Sequence, residues 1–434
     1  MKWSNLLRSL VNFLHLLVIV SLGFALTLSS NIQEPALMTH KVLRLAPDLP
    51  NTTMGFLGSM GLVVAMLVQP IVGVFSDRAR SRWGRRLPFM LLGALMIAGS
   101  LYVLALAPAL WVLVLGILLI QMSSNILQGP WQALIPDLVP EDQRGMASGL
   151  KAMMDILAFV VGRAVAGFFF GRVPEWGEAA VLMAVAVPVV VFGLGLILTA
   201  LWAREKPEAA TETVTTESVG VALRKAFRVD WRAHPTFRWW FFNRMLFWGA
   251  FIFLNTFLVT YMIGVLQMTE AAAQKFVGGL STIIGGALLL MALPSGWLAD
   301  KFGRKPLVMA AGLVAFAGTA TLLFARDTGT IVIGGAVIGL SIGAFLSANW
   351  AMVTDIVPRP EAARYLGIAN IATCLGSGGA RLLGALLIDP LNLAFHSTSA
   401  GYLIVYGLAA LCFLGSSLMI LPLQQMSPNL TAST

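Results

Sequence analysis

Charge is scarce in this chain of 434 residues: 11% are Asp, Glu, Lys or Arg, against about a quarter in a soluble domain, while 58% are hydrophobic. That deficit excludes a soluble globular protein. Cysteine is scarcer still, and Cys374 and Cys412 both sit inside apolar runs, where they read as small buried hydrophobes and not as disulfide or metal ligands. The four histidines, His15, His40, His234 and His396, are too far apart in sequence to suggest a metal site or a base beside a nucleophile. A Walker loop and a G-x-G-x-x-G fingerprint are both missing, so neither an enzyme nor a nucleotide cofactor is expected. The in/out alternation of an outer-membrane barrel is absent too, because the apolar residues come in unbroken runs such as 181–201.

What remains is an integral membrane protein built from helices, since only helices or closed barrels satisfy the backbone inside lipid. A span takes about 20 residues, and twelve candidates fill the chain: 10–35, 54–75, 88–107, 109–133, 146–171, 179–202, 239–264, 274–297, 306–325, 330–354, 364–388 and 399–422. Lys2 and Arg8 precede a first apolar stretch that is too long for a signal-peptide core, which reads as a retained helix. With the N-terminus in the cytoplasm, about 22 of the 29 Lys and Arg fall on the cytoplasmic side, eight of them in the central connector and its flanks. The positive-inside rule therefore places both termini in the cytoplasm. The net charge of +9 then faces anionic lipid and gives no reason to invoke nucleic acid.

The longest polar stretch, 203–238, divides the chain into a six-span half 1–202, a cytoplasmic linker 203–238 and a second half 239–434. An internal repeat supports the division. Gly73-Val-Phe-Ser-Asp77-Arg78, followed by Arg82-Trp-Gly84-Arg85-Arg86, recurs as Gly296-Trp-Leu-Ala-Asp300-Lys301-Phe-Gly303-Arg304-Lys305. A second correspondence holds one register, in which adding 218 carries Asp137 to Asp355, Pro140 to Pro358, Gly149 to Gly367 and Arg163 to Arg381. Two parallel six-span halves joined by a linker is the plan of secondary transporters that rock about a central site.

On these residues the chain resembles the major facilitator superfamily along nearly its whole length. The carrying pattern, G-x-x-x-D-R-x-x-G-R-R, is present over 73–86 with an insertion before Gly84 and again over 296–305. Within the superfamily, 76–89 is similar to the S-D-x-x-x-S-R-x-G-R-R-R-P-F signature of the sucrose/proton symporters and the wider glycoside-pentoside-hexuronide group. Asn125-Ile-Leu-Gln128-Gly129-Pro130-Trp-Gln132-Ala133-Leu134-Ile-Pro-Asp137-Leu138 resembles their fourth-span N-x-x-Q-G-P-x-R-A-L-x-x-D-L, and 23–29 their first-span G-W-A-L-x-L-S. The chain departs from the pattern at Gln132, where the group usually has Arg, and the span 54–75 lacks the paired aspartates of sodium-coupled melibiose-type carriers. The fifth span lacks the glycine-proline motif of drug/proton antiporters, which makes drug export a poorer fit.

Asp77, Arg78, Gly84, Arg85 and Arg86, with Asp300, Gly303 and Arg304 in the second half, have the residue types of a cytoplasmic gate, carboxylates at helix ends beside guanidinium clusters. Asp137 and Asp355 read as gate or capping residues. Inside the spans, charge costs several kcal/mol unless it faces a wet cavity or a partner, so Glu34, Asp155, Arg163 and Arg381 are candidate substrate-binding or coupling groups. Pro35 is expected to break or kink the first span beside Glu34. Lys151 stands one turn before Asp155 and can pair with it, whereas Arg163 lies about 12 Å farther along the axis. Asn125, Gln128 and Gln132 draw a polar stripe on the fourth span, and Asn349 with Trp350 offers hydrogen bonds and an aromatic plate for a sugar ring, aided by Asn243 and Asn255.

The expectation is a proton-coupled symporter of a sugar or glycoside in a bacterial inner membrane, a monomer with a small-molecule substrate and no cofactor beyond the proton gradient. The alternatives are an organic-anion carrier, for which the Arg163 and Arg381 pair would be the mark, a drug exporter, and a non-transporting membrane protein such as a pigment-delivery factor.

Overall fold

The computed structural model describes residues 2–79, 81, 83–140, 143–202, 231, 235–356 and 362–423, and the connector expected at 203–238 lies almost wholly outside them. Among the described residues every regular element is a helix. In chain order they are α1 (Lys2–Ile32), a π-helical turn (Gln33–Leu37), α2 (Met38–Leu45), α3 (Pro50–Arg78), α4 (Leu87–Ala105), α5 (Leu110–Leu138), α6 (Arg144–Phe170), α7 (Val173–Trp176) and α8 (Glu178–Trp202). The second half contains α9 (Pro235–Thr256), α10 (Leu258–Leu266), α11 (Glu270–Phe302), α12 (Arg304–Leu323), α13 (Thr328–Ile356), α14 (Ala362–Ala394) and α15 (Ala400–Met419). Eleven spans are long and apolar enough to cross a bilayer as single runs, and α9 with α10, bent by 56° at Phe257, makes the twelfth.

The first span of each half is interrupted at nearly the same place. Of the break or kink expected at Pro35, the break does not occur; its missing N–H and its ring are absorbed by widening the backbone to a π-helical turn, after which α2 runs on to Leu45. The span is thus Leu16–Leu45, ten residues longer at its far end than the hydropathy boundary, and Glu34 stands near its middle and not at its edge. In the second half, α10 leaves the bend anchored by Tyr261, whose ring stacks on Tyr406 at 4.4 Å and whose hydroxyl donates to the Leu322 carbonyl at 2.7 Å.

The described residues form two compact units. Unit 1 contains Met1–Asp48, Met60–Thr216 and Glu270–Gly278, and unit 2 contains Leu49–Ser59, Glu217–Thr269 and Gly279–Thr434. In unit 1, α1 packs on α6 and α8, and α4 on α5 and α8; in unit 2 the same pattern recurs as α9 on α14 and α15, and α12 on α13 and α15. The internal repeat of the sequence is therefore a repeat of packing.

Each unit takes its second long helix from the chain in an unusual way. The opening turns of α3 belong to unit 2 and the rest of that helix to unit 1, while the opening turns of α11 belong to unit 1 and the rest to unit 2. In unit 1 the start of α11 is tied by Glu270 Oε1, 2.6 Å from Nδ1 of the buried His40, and by Gln274, whose amide donates to the Ala36 carbonyl. Close approach completes the seat, because a Cβ on Gly167 would lie 2.8 Å from Gly278 Cα. In unit 2 the start of α3 is held by Asp389, which accepts from Asn51 Nδ2 and from the Thr52 N–H, both at 2.7 Å. Tyr402 and Thr260 complete the bonding of the Asn51 amide.

Candidate functional site

In unit 1 the intramembrane charges gather on α1 and α6. Arg163 is 2% exposed on α6, and its Nε donates to Asn31 Oδ1 at 3.3 Å, while the Glu34 carboxylate acts on the guanidinium electrostatically. Asn31 lies just before the π-helical turn and Glu34 within it, and both address α6. The Phe159 ring lies 5.6 Å from the same guanidinium.

Asp155 forms a separate group two turns away. It accepts from Thr27 Oγ1 at 3.0 Å and from Lys151 Nζ at 2.9 Å, so the i, i+4 pair expected from the sequence is present and no direct Asp155–Arg163 bond competes with it. Lys151 also lies over the Trp131 ring at 5.3 Å. Trp131 is buried, and its Nε1 donates to the Ile19 carbonyl on α1, which fixes the ring against Gly23. On α5, the polar stripe divides: Asn125 is buried with its amide turned back onto the Gln121 carbonyl, Gln128 is half-buried, and Gln132 is exposed.

In unit 2 the guanidinium of Arg381, 6% exposed on α14, lies against the start of α3, where a Cβ on Gly58 would come within 2.7 Å of its Cδ. The two repeat-related arginines, Arg163 and Arg381, belong to different units. Asn349 is fully buried; its amide donates to Asn243 Oδ1, and Asn243 in turn donates to the backbone and hydroxyl of Ser416. Asn243 is therefore occupied in tying α9, α13 and α15 together. Trp350, its neighbour on α13, stays 40% exposed.

A further intramembrane cation is missed by the sequence reasoning. Arg244 counts there as one of the cations flanking the connector, but α9 begins at Pro235, so Arg244 is the tenth residue of that helix and only 6% exposed. It lies within the apolar stretch 239–264, and the dense tryptophans around it (Trp239, Trp240, Trp248) were the available signal, because a loop flank has no reason to be aromatic on every turn.

At the repeated loop motifs, Asp137 receives two guanidiniums, Arg85 Nη2 at 2.8 Å and Arg86 Nε at 3.1 Å. Arg86 Nη1 also donates to Ser76 Oγ at 2.7 Å, so one arginine joins the ends of α3, α4 and α5. Asp137 is an ion-pair partner here, more than a helix cap. Gly84 and Gly303, equivalent in the repeat, have φ of 93° and 91°, a conformation that a side chain disfavours and that explains why both motif copies carry glycine there. In the second copy Arg304 donates to the Ala351 carbonyl at the end of α13. The side chains of Asp77, Arg78, Asp300 and Asp355 lie outside the described residues.

The family described as MFS/sugar transport protein matches residues 42–362. The sucrose transport protein SUT1 of Oryza sativa subsp. japonica is 30% identical over 230 residues, covering 46% of this chain and 41% of that protein. The minor myo-inositol transporter IolF of Bacillus subtilis (strain 168) is 36% identical over 98 residues, 23% of this chain and 22% of that protein. The chain thus aligns with less than half the length of these curated relatives. Among solved structures, a D-xylose-proton symporter superimposes with a TM-score of 0.70 at 16% identity, covering 93% of this chain and 96% of that one. The nucleoside transporter NupG superimposes with a TM-score of 0.68 at 15% identity, over 94% of this chain and 98% of that one. Up to twelve spans among the described residues in two equivalently packed sets, repeated loop motifs with matching glycines, and a family match across some three-quarters of the residues lead to one conclusion: the chain is an integral membrane protein of the MFS/sugar transport protein family, a family of transporters and not of enzymes.

Proposed function

We propose that the protein is a secondary active symporter that couples the proton gradient to movement of a sugar or glycoside by alternating access, with both termini in the cytoplasm. The observation that carries the reading is Glu34, a carboxylate near the middle of the first span, set at a π-helical turn and facing the buried Arg163 on α6. A guanidinium this desolvated needs a counter-charge or a ligand. In this scheme Glu34 is the proton-carrying group and Arg163 donates to a sugar hydroxyl, so substrate and proton load together. Asp155, neutralised by Lys151 and tethered to Thr27, serves as a fixed anchor between α1 and α6 in this scheme. The relatives named for sucrose and for D-xylose with protons support the substrate class and the coupling ion.

The test uses purified protein in liposomes loaded with a pH-sensitive dye. Addition of the transported sugar should acidify the lumen. Glu34→Gln should retain exchange of labelled for unlabelled sugar while losing gradient-driven accumulation; accumulation equal to that of the unmodified protein would remove Glu34 from the coupling scheme.

A further inference from the structure

Among the described residues, Arg244 is a buried charge without a counter-charge. Its Nε donates to Thr373 Oγ1 at 3.0 Å and its Nη1 to Asn349 Oδ1 at 2.9 Å, both neutral acceptors, and no carboxylate pairs with it among the described residues. The described carboxylate on its neighbouring helices, Asp389, is far off. Asp389 stands sixteen residues beyond Thr373 on α14, about 24 Å along the axis, where it is engaged by Asn51 and Thr52. Asp355 is six residues beyond Asn349 on α13, about 9 Å, and its side chain lies outside the described residues.

The guanidinium is nevertheless held in one orientation. Ser416 fixes Asn243, Asn243 fixes Asn349, and Asn349 presents its Oδ1 to Arg244. The rings of Trp350, Trp240 and Trp248 lie 5.0, 5.6 and 5.9 Å from the guanidinium carbon. Two of the five N–H groups of an arginine are used by these bonds, which leaves three for another acceptor. The Nε1–H of Trp248 is a fourth donor beside them, buried and without a partner.

The repeat shows what is absent. The register that adds 218 carries Trp131 to Asn349, Gln132 to Trp350 and Asp155 to Thr373. In unit 1 that position is a carboxylate, and the cation beside it, Lys151, is neutralised at 2.9 Å. In unit 2 it is a threonine hydroxyl, and the cation beside it keeps its charge.

From this we infer that unit 2 has a subsite for one carboxylate group of the substrate, with Arg244 as its cation, Asn349 and Thr373 orienting that cation, and Trp350 as the exposed plate for the attached ring. This deepens the sugar-transport reading and rests on it: the substrate would be a sugar acid or acidic glycoside. A single cation balances a monoanionic carboxylate, whose two oxygens match the planar donor fork of arginine, and would leave a dianionic phosphate half-neutralised in a desolvated place.

The experiment follows tryptophan emission of the full-length protein in nanodiscs during titration with methyl glucuronide, methyl glucoside and glucose 6-phosphate, alongside lumenal acidification in liposomes. The glucuronide should bind at least about tenfold more tightly than the other two. Arg244→Lys should weaken it by about tenfold and Arg244→Gln should abolish it. Thr373→Asp gives a readout that does not depend on removing the arginine: an internal carboxylate should block glucuronide binding while raising the thermal unfolding midpoint. Equal affinity for glucoside and glucuronide, no binding of either, or undiminished glucuronide binding by Thr373→Asp would each overturn the subsite. Acidification driven equally by glucoside and glucuronide would leave proton-coupled sugar transport standing while removing the carboxylate subsite, whereas acidification by neither would remove both.

Discussion

Asp137 shows how much can depend on a single oxygen: its Oδ2 accepts from both Arg85 and Arg86, and Arg86 is nearly buried. Replacing Asp137 by Asn removes the carboxylate that both guanidiniums share and should lower stability by about 2 kcal/mol, read as the thermal unfolding midpoint in detergent. In a double-mutant cycle with Arg86→Gln the losses should be clearly less than additive, because both changes remove the same ion pair. Of the candidate residues, those carrying charge in mid-span are legible in the sequence, since hydropathy singles them out. Their partners are less so: that Arg163 meets Asn31 and Glu34 depends on a helix register that no motif encodes. Arg244 shows the converse, a charge hidden by its closeness to a basic connector.

At the scale of elements, the spans are legible because an apolar run of about 20 residues has one physical use, and their ends are not, because polar residues buried against other helices extend them. α2 is the case in point: Thr39, His40 and Lys41 read as an exit from the membrane, yet each is buried, with Lys41 reaching Glu178. Close helix approach predicts a sharp contrast between neighbours. Gly167→Ala sets a methyl against the Gly278 backbone and should cost about 1–3 kcal/mol, whereas Gly279→Ala, with open space around its Cβ, should leave the unfolding midpoint unchanged. Outside the membrane, Asp327 caps α13 by accepting from the Thr330 N–H and hydroxyl, and these bonds hold its carboxyl below the usual carboxylate range. The capping contribution is therefore complete above the ordinary carboxylate pKa and is lost as pH falls through the lowered value. Asp327→Ala should abolish that acid-side loss, measured as the difference in unfolding midpoint between neutral and acidic buffer.

For the whole molecule, the repeat is legible twice, in the loop motifs 73–86 and 296–305 and in the register of 218, and the packing pattern of the two units follows it. The exchange of opening turns by α3 and α11 is not legible, because the polar residues that seat them (Asn51, Asp389, His40, Glu270) lie far apart in sequence and form no motif. Asn51 begins an N-x-T sequon, but its side chain is 1% exposed and fully hydrogen-bonded, which leaves no room for a glycan. The exchange also bears on how the polypeptide can be divided. A cut in the connector looks like a clean separation of two homologous lobes, yet the first fragment retains 49–59, which unit 2 incorporates, and the second retains 270–278, which unit 1 incorporates. Neither fragment holds a full set of the turns its own fold is built on.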